Sequence, residues 1–588
     1  MIRGLEQAAQ SLGINSETTA TKKRSPTHPS NSSIENDIPM MYRAQVEGRC
    51  SLMFAGNNKD LEKWKDEWIY PNPKQPRYQR KEPPLGLDGN IYRIQVKFPF
   101  RLISNGGQDS IIRPILGKDG IPYFSGSSVK GLFRRACNES QAKNYCGDDT
   151  NLAPSSQGFR FHGAYPVGDW SNMREVTFKK GDKTEIRYGM LDVVHPQQER
   201  QIGSNKQNAT ALASISLYQP TMIFEFSSFA ENTNWKEVEN IFWQAIALGF
   251  GGKTSTGYGL GAHNSHRPAV IPKTKVDIAF SGRGVSPTLR SDEPEFRPNL
   301  FKASLRGHFQ RLLSGVMGDR GNLETEVARL FGGSSGPGVL QLLWQQRELT
   351  YGTFGKTQTF KVDGILHLNT LRDEDVQLIE QILKFAFIMG GFGKSWRRAS
   401  HELFHETYKK FEIGCHWELD RTDRVWMDIQ STDQLKTFLT EIHQNYITRF
   451  MRGDVKPLDW RESWHPDRLS VYAVETRASK VIDLFHDDTY KTTPAIGGKD
   501  PNDKRPKFVS SVWHRMLPIG DGSFLEIITL FHGQRKAWKR GVEEDQLQNF
   551  IDSLKGQDLS FIWGNQNPCS EKTKTSKQKK VIDTKPKS

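Results

Sequence analysis

The chain has 588 residues, enough for more than one domain with its own core. Its 36% hydrophobic content and 14 tryptophans suit a folded globular protein, and no apolar run approaches the roughly 20 residues that a membrane-spanning helix needs. The net charge of +14 favours a polyanionic partner, while five scattered cysteines (Cys50, Cys137, Cys146, Cys415, Cys569) without a CxxC pair signal neither a disulfide framework nor a cysteine-rich zinc site.

The first 30 residues lack the apolar core of a secretory signal, so no membrane partner is expected and the expected compartment is the cytoplasm. Residues 16–36, SETTATKKRSPTHPSNSSIEN, are rich in Ser, Thr, Asn and Pro, which places residues 1–37 in a disordered segment and the start of the fold near Ile38. NIYRIQVKFPFRLIS (90–104) then reads as a strand, PYFSGSSVKGLFRRA (122–136) as the opening of a basic helix, and QGFRFHGAYPV and TMIFEFSSF as further strands. Between these two, QQERQIGSNKQNATA reads as a mobile polar loop. WKEVENIFWQAIALG, with Val238, Ile241, Phe242, Ala245, Ile246 and Leu248 on one face, predicts an amphipathic helix.

That helix runs into ALGFGGKTSTGYGLG (247–261). A phosphate-binding Walker loop needs a glycine five positions before Gly-Lys-Thr and a strand before the loop. Ala247 stands at the glycine position and a helix precedes, so the ATPase reading fails. The pattern then repeats. KVDIAFSGR predicts a strand, RPNLFKASLRGHFQRLL (297–313) a second basic helix, LFGGSSGPGVLQLLW and ILHLN strands, and QILKFAFIMGGFGKSWRRA a second helix with a glycine loop. Lys130 aligns with Arg306, Gly131 with Gly307, Phe133 with Phe309 and Arg135 with Arg311. The order strand, basic helix, strands, helix, glycine loop predicts an α+β fold of two tandem ferredoxin-like or RRM-like modules with insertions, at 38–270 and 271–565. DQLKTFLTEIHQNYITRFMRG should be a helix and SFLEIITLFHG a buried strand; both are assigned to the second module, with VYAVETRASKVIDLFHDD as an insertion. Residues 566–588, seven of whose lysines lie in the last 18 residues, form a basic disordered tail.

GIPYFSGSSVKGLFRRA and GFGGKTSTGYG resemble the paired motifs of the CRISPR-associated RAMP superfamily, backbone subunits of type III effector complexes. EFRPNLFKASLRG, LFGG, GGFGKSWRRA and RPKFVSSVWHRM resemble the same family in the second copy. The resemblance implies a tandem fusion, as in type III-D and related systems, that binds guide RNA, faces target RNA and assembles with other type III subunits. It implies RNA contacts at Ser127, Ser128, Lys130, Arg134, Arg135, Gly251, Gly252, Lys253 and Tyr258, and in the second copy at Lys302, Arg306, Arg311, Lys394, Arg397 and Arg398. The residue chemistry agrees: a helix start offers N–H groups to a phosphate, and glycines admit a polyanion close to the backbone. The alternative is that the glycines serve tight turns and Lys253 is solvated.

Catalytic members carry an aspartate between the first strand and the basic helix, and Asp109 in GGQDS occupies that place, implying Mg²⁺-dependent cleavage of target RNA with Asp109 as metal ligand. The alternatives are a non-catalytic scaffold, with Asp109 an Asx-turn residue, and a guide-processing endoribonuclease. Asp292, Glu293 and Glu295 near the second helix do not reproduce the setting of Asp109. His401-Glu402-Leu403-Phe404-His405 spells HExxH, and Cys415-His416 could complete a zinc site, but nothing in the spacing requires one. Ser127-x-x-Lys130 spells an acyl-transfer motif whose repeat counterparts, Ala303 and Arg306, cannot do that chemistry.

Overall fold

β1 (Gly86–Asp88) and β2 (Ile91–Lys97) open the fold as an antiparallel pair in which Ile94 and Val96 point alternately into the core. The computed structural model describes most of residues 82–569; the main stretches outside the description are 115–121, 178–183, 193–213, 262–274, 288–293, 406–413, 421–428 and 497–510. All described residues fall within one compact unit, Leu52–Ser588. Pro99, with no N–H to offer a ladder, follows β2, and the chain resumes as β3 (Arg101–Ile103) in a different sheet. The single strand expected across 90–104 is therefore two.

The first module continues with the hairpin β4 (Asn105–Gln108) and β5 (Ile111–Pro114), then α1 (Gly126–Ala136) and β6 (Arg160–Val167). A ribbon of β7 (Met173–Thr177) and β8 (Thr184–Tyr188) follows, then β9 (Leu191–Asp192) and β10 (Ser214–Tyr218), which pairs with β3. β11 (Thr221–Ser227) and α2 (Trp235–Ala247) complete the described part. The main sheet runs β1-β2-β11-β6, with β11 between β2 and β6 as a split βαβ unit requires. The polar loop expected at 197–211 lies outside the described residues.

The second module comprises β12 (Val276–Val285), α3 (Asn299–Ser314), α4 (Arg320–Phe331), β13 (Leu340–Phe354), β14 (Thr357–Thr370), α5 (Val376–Phe385), β15 (Arg397–Arg398) and β16 (Cys415–Leu419). Its sheet runs β13-β14-β12-β16, the strand order of a ferredoxin-like βαββαβ fold. β12 alternates buried and outward residues over its whole length, burying one face against the helices.

After α6 (Thr432–Phe450) the chain departs from the sequence expectation. β17 (Leu469–Thr476), α7 (Ile482–His486), β18 (Val512–Gly520), β19 (Ser523–Phe531), the short ribbon β20 (Lys539–Arg540) and β21 (Glu544–Asp545), α8 (Leu547–Gly556) and β22 (Ser560–Gly564) build a unit of their own. Its sheet, β15-β18-β19-β17-β22, repeats the ferredoxin-like order of the second sheet, with β15 added from the second module. The residues read as completing the second module, including the supposed insertion at 471–488, belong to this third unit. α7 and α8 cover one face through Phe485, Phe550 and Leu554. Val471, Trp513, Ile527 and Phe531 on the other face join the core that contains Phe309 and Tyr446 of the second module's helices.

The first two modules meet over a buried charge pair. Arg101 and Glu295 are 2% and 1% exposed; Arg101 Nη2 donates to Glu295 Oε2 at 2.7 Å and Arg101 Nε donates to Oε1. Arg297 Nε reaches the same carboxylate at 2.6 Å, and Phe100 and Ile103 enter the second module's core beside them. Glu295→Ala leaves buried guanidinium charge uncompensated and should cost about 3–5 kcal/mol, whereas Arg101→Met with Glu295→Leu, which removes both charges, should cost less. Denaturant melts of the two variants check the order.

Candidate nucleic-acid interface

α1 begins where Ser125 caps it, its Oγ accepting from Ser128 N at 3.4 Å and lying 2.8 Å from Ser127 Oγ and 3.1 Å from Ser128 Oγ. Val129, Leu132 and Phe133 bury one face of the helix, so Ser127, Ser128, Lys130 and Arg135 stand exposed on the other. No acidic residue occupies the first turn. The positive end of the helix dipole is thus left uncompensated beside exposed hydroxyls and a lysine.

The glycine turn lies against this start. The rings of Phe124, just before the cap, and Phe250 sit 4.3 Å apart. Gly252 N donates to Ile103 O at 2.8 Å, Gly259 N to Arg101 O at 3.2 Å, and Phe250 N to Gly259 O at 2.7 Å. The loop therefore folds back on itself and onto β3. Gly259 has φ +70°, and a Cβ there would stand 1.8 Å from Phe250 O, so only glycine fits. Internal packing demands this glycine whatever the loop binds. Gly251 is exposed and Gly252 half-buried.

Two first-module residues are committed inward. Arg134 Nη1 donates to Gly147 O at 2.8 Å, bracing the turn after α1, and Arg134 Nη2 pairs with Asp149 at 2.7 Å. Tyr258 is 6% exposed and packs in the core with Phe100 and Ile103, which corrects its expected role as a stacking face. Asp109, Lys253 and Lys394 lie outside the described residues, and of Arg397 only the backbone is described.

The second module differs in kind. Arg306 Nη1 donates to Gly332 O at 2.8 Å, doing for its own turn what Arg134 does one helical turn later in the first copy. Arg311 Nε donates to Glu462 at 2.7 Å. Arg398 is 5% exposed, donates to Gly390 O and stands 4.8 Å over the Trp513 ring, whose centroid is 5.0 Å from the Arg311 guanidinium. Burial pushes the Arg398 guanidinium down to about 10. Arg311 and Arg398 are therefore structural, held by the third unit, contrary to the RNA contacts expected of them. His308, fully buried, sits against Gly390 and meets Gly391 O at 3.0 Å. Gly393 N donates to Ser304 Oγ at 3.1 Å.

Lys302 also lies inside the protein, contrary to the RNA contact expected of it. Its ammonium is buried without a hydrogen-bond partner, and burial, then the Arg306 charge, push it down to about 8. The sequence showed a lysine on the basic helix, but its burial follows from the third dimension alone.

The decoy motifs dissolve. Glu402 pairs with Arg283 at 3.4 Å, His405 Nε2 with Asp483 at 2.7 Å, and His416 Nε2 with Glu418 at 2.7 Å. Burial pushes His416 down to about 4, leaving it neutral, and pushes the Cys415 thiol up. Among the described residues no three of His, Cys, Asp and Glu gather as a metal group. The outer face of the second sheet holds a cavity of about 260 Å³ lined by Arg283, Glu348, Lys361, Asp363, His416 and Glu418. Its carboxylates outnumber its cations, which suits a polyanion poorly.

Gly259→Ala should destabilise by more than about 1 kcal/mol, whereas Gly131→Ala, with nothing within 4 Å of the added carbon, should stabilise α1 by about 0.5–1 kcal/mol. Chemical denaturation of the pair checks this. For Lys302, the native state holds fewer protons than the unfolded chain between about pH 8 and the ordinary lysine range near 10.4. Stability through this group should therefore rise with pH across that window; below it both states are protonated and the burial penalty stands in full. Lys302→Met should be the more stable protein at pH 7 and should lose that rise, as melts from pH 7 to 10 would show.

The family model described as the RAMP superfamily matches residues 102–261, from β3 through α1 to the glycine turn. No curated protein matches the chain. Among solved structures, apo Cmr1 from Pyrococcus furiosus is similar at 14% identity, covering 49% of this chain and 98% of its own, with a TM-score of 0.34. Cmr6 from Pyrococcus furiosus is similar at 15% identity over 30% of this chain and 98% of its own, with a TM-score of 0.17. A chain of the Type III-B Cmr-beta complex bound to cognate target RNA is similar at 8% identity over 48% of this chain and 99% of its own, with a TM-score of 0.24. The match to the RAMP superfamily thus lies on residues 102–261, the stretch that holds β3, α1 and the glycine turn on a split βαβ framework.

Proposed function

We propose that this chain is a guide-RNA-binding backbone subunit of a type III CRISPR ribonucleoprotein. The observation that carries the reading is the exposed, uncompensated start of α1, with Ser127, Ser128 and Lys130 beside a glycine turn and Arg135 exposed further along the same helix, inside the segment that matches the RAMP superfamily. A phosphate placed there meets backbone N–H groups and hydroxyls with Lys130 one turn on, and no side-chain carboxylate in the helix's first turn repels it; Arg135, in the last turn, is placed for a neighbouring phosphate along the strand. The net charge of +14 adds long-range attraction for any polyanion. Target RNA and further effector subunits, partners of the same class as in the similar Cmr-beta complex, belong to this proposal.

Within it, Asp109 is the carboxylate through which the first module cleaves target RNA with Mg²⁺. A metal there would supply a Lewis acid for the reacting phosphate. The alternative is a non-catalytic RNA-binding scaffold of the same complex, in which Asp109 only shapes its loop.

The assembled complex separates these roles on a labelled, guide-complementary RNA. Lys130→Ala with Arg135→Ala should weaken guide binding and flatten its salt dependence, by about 0.7 in the log–log slope for each lost single-strand phosphate contact. Asp109→Ala should bind equally and lose one cut in Mg²⁺. An unchanged cleavage ladder in Asp109→Ala makes the chain a scaffold, and unchanged binding in the double variant removes the RNA site from α1.

A further inference from the structure

Two thiols meet beneath the last turn of α1. Cys137 is the C-cap of the helix, and its Sγ donates to Phe133 O at 3.4 Å. Cys146 ends the π-type turn Ala142–Cys146 and is buried. The turn is fastened to the helix around them: the Phe133 and Tyr145 rings meet edge-on at 5.9 Å, and Arg134 donates to Gly147 O, the residue after Cys146. Inside that clamp each thiol is the other's strongest electrostatic neighbour, and neither is in a disulfide. Cys146 has Lys130 and Arg134 in its electrostatic surroundings, with Asp149 as the opposing charge.

We propose that Cys137 and Cys146 form a redox-active dithiol that a small peroxide converts to a disulfide. Geometry supplies the pair and the surroundings supply the nucleophile. The Cys137 S–H and then the two cations hold the Cys146 thiol below its ordinary range. The Cys146 thiolate attacks one peroxide oxygen, the O–O bond breaks, and the departing hydroxide takes up a proton to leave as water. Cys137 sulfur then attacks the resulting sulfenic acid and displaces its oxygen as a second water. Sulfur is oxidised by two electrons and the peroxide is reduced by two. Exchange with a small thiol reverses the bond. The inference does not depend on RNA binding.

Trypsin separates the two cysteines into ACNESQAK (136–143) and NYCGDDTNLAPSSQGFR (144–160), so the bond is read directly. The full chain is treated with hydrogen peroxide, blocked with an alkylating agent and digested without reductant. The expected result is a linked ACNESQAK–NYCGDDTNLAPSSQGFR species that disappears on reduction. In Cys137→Ser the resolving thiol is gone, and Cys146 should instead accumulate a dimedone-trapped sulfenic acid. Recovery of both wild-type peptides singly alkylated, or over-oxidised without a link, overturns the proposal. So does a folded Cys137→Ser protein whose Cys146 never reacts with dimedone.

Discussion

A charged pair taken out of water must find its complement or the fold loses several kcal/mol, and Arg101 with Glu295 is the place where this chain accepts that constraint. Arg101 belongs to β3, the short strand that leaves the first sheet after Pro99. Its side chain is tied to the second module while its own carbonyl receives Gly259 N, and Ile103 O receives Gly252 N. One three-residue strand therefore fixes the first module against the second and backs the glycine turn. The position of that turn beside the start of α1 is inherited from this junction. Tyr218 and Tyr351 close over the same junction, and burial raises both phenols.

The two glycine loops, alike in sequence, have gone different ways. In the first copy the loop lies on β3 beside an exposed helix start. In the second, β15 follows the loop directly and adds in parallel to β18, so the loop's end becomes an edge strand of the third sheet. Trp513 of that sheet carries both Arg311 and Arg398 over its ring, and Arg515 donates to Phe387 O and Trp417 O. The guanidiniums that looked like a second RNA surface hold two units together. Repetition of a sequence pattern thus preserved the framework while the charge on it changed use.

The elements legible from sequence were those with one buried face. α2 and α6 follow the 3.6-residue period, and β12 alternates, so Trp235–Ala247, Thr432–Phe450 and Val276–Val285 fall where expected. The third unit was illegible as a unit because its central strands are buried on two faces: LSVYAV in β17 and LEIITLF in β19 read as apolar runs without a period, and no glycine loop marks their repeat. At the interface, the exposed Ser127, Ser128, Lys130 and Arg135 follow from helix periodicity once Val129, Leu132 and Phe133 are placed inside. The inward commitment of Tyr258, Arg311 and Arg398 could not be read, because each is fixed by residues distant in sequence. The Arg101–Glu295 pair, 194 positions apart, left no local signal at all.

The central claim is that guide RNA lies across the start of α1 and the adjacent glycine turn. Photo-crosslinking of the chain to its guide RNA, followed by mapping of the nucleotide-bearing peptides, tests it most directly. The account predicts adducts on peptides covering 122–136 and 249–261, competed away by salt. Adducts confined to the third unit at 469–564 or to the outer face of the second sheet, with none in those two stretches, would contradict it.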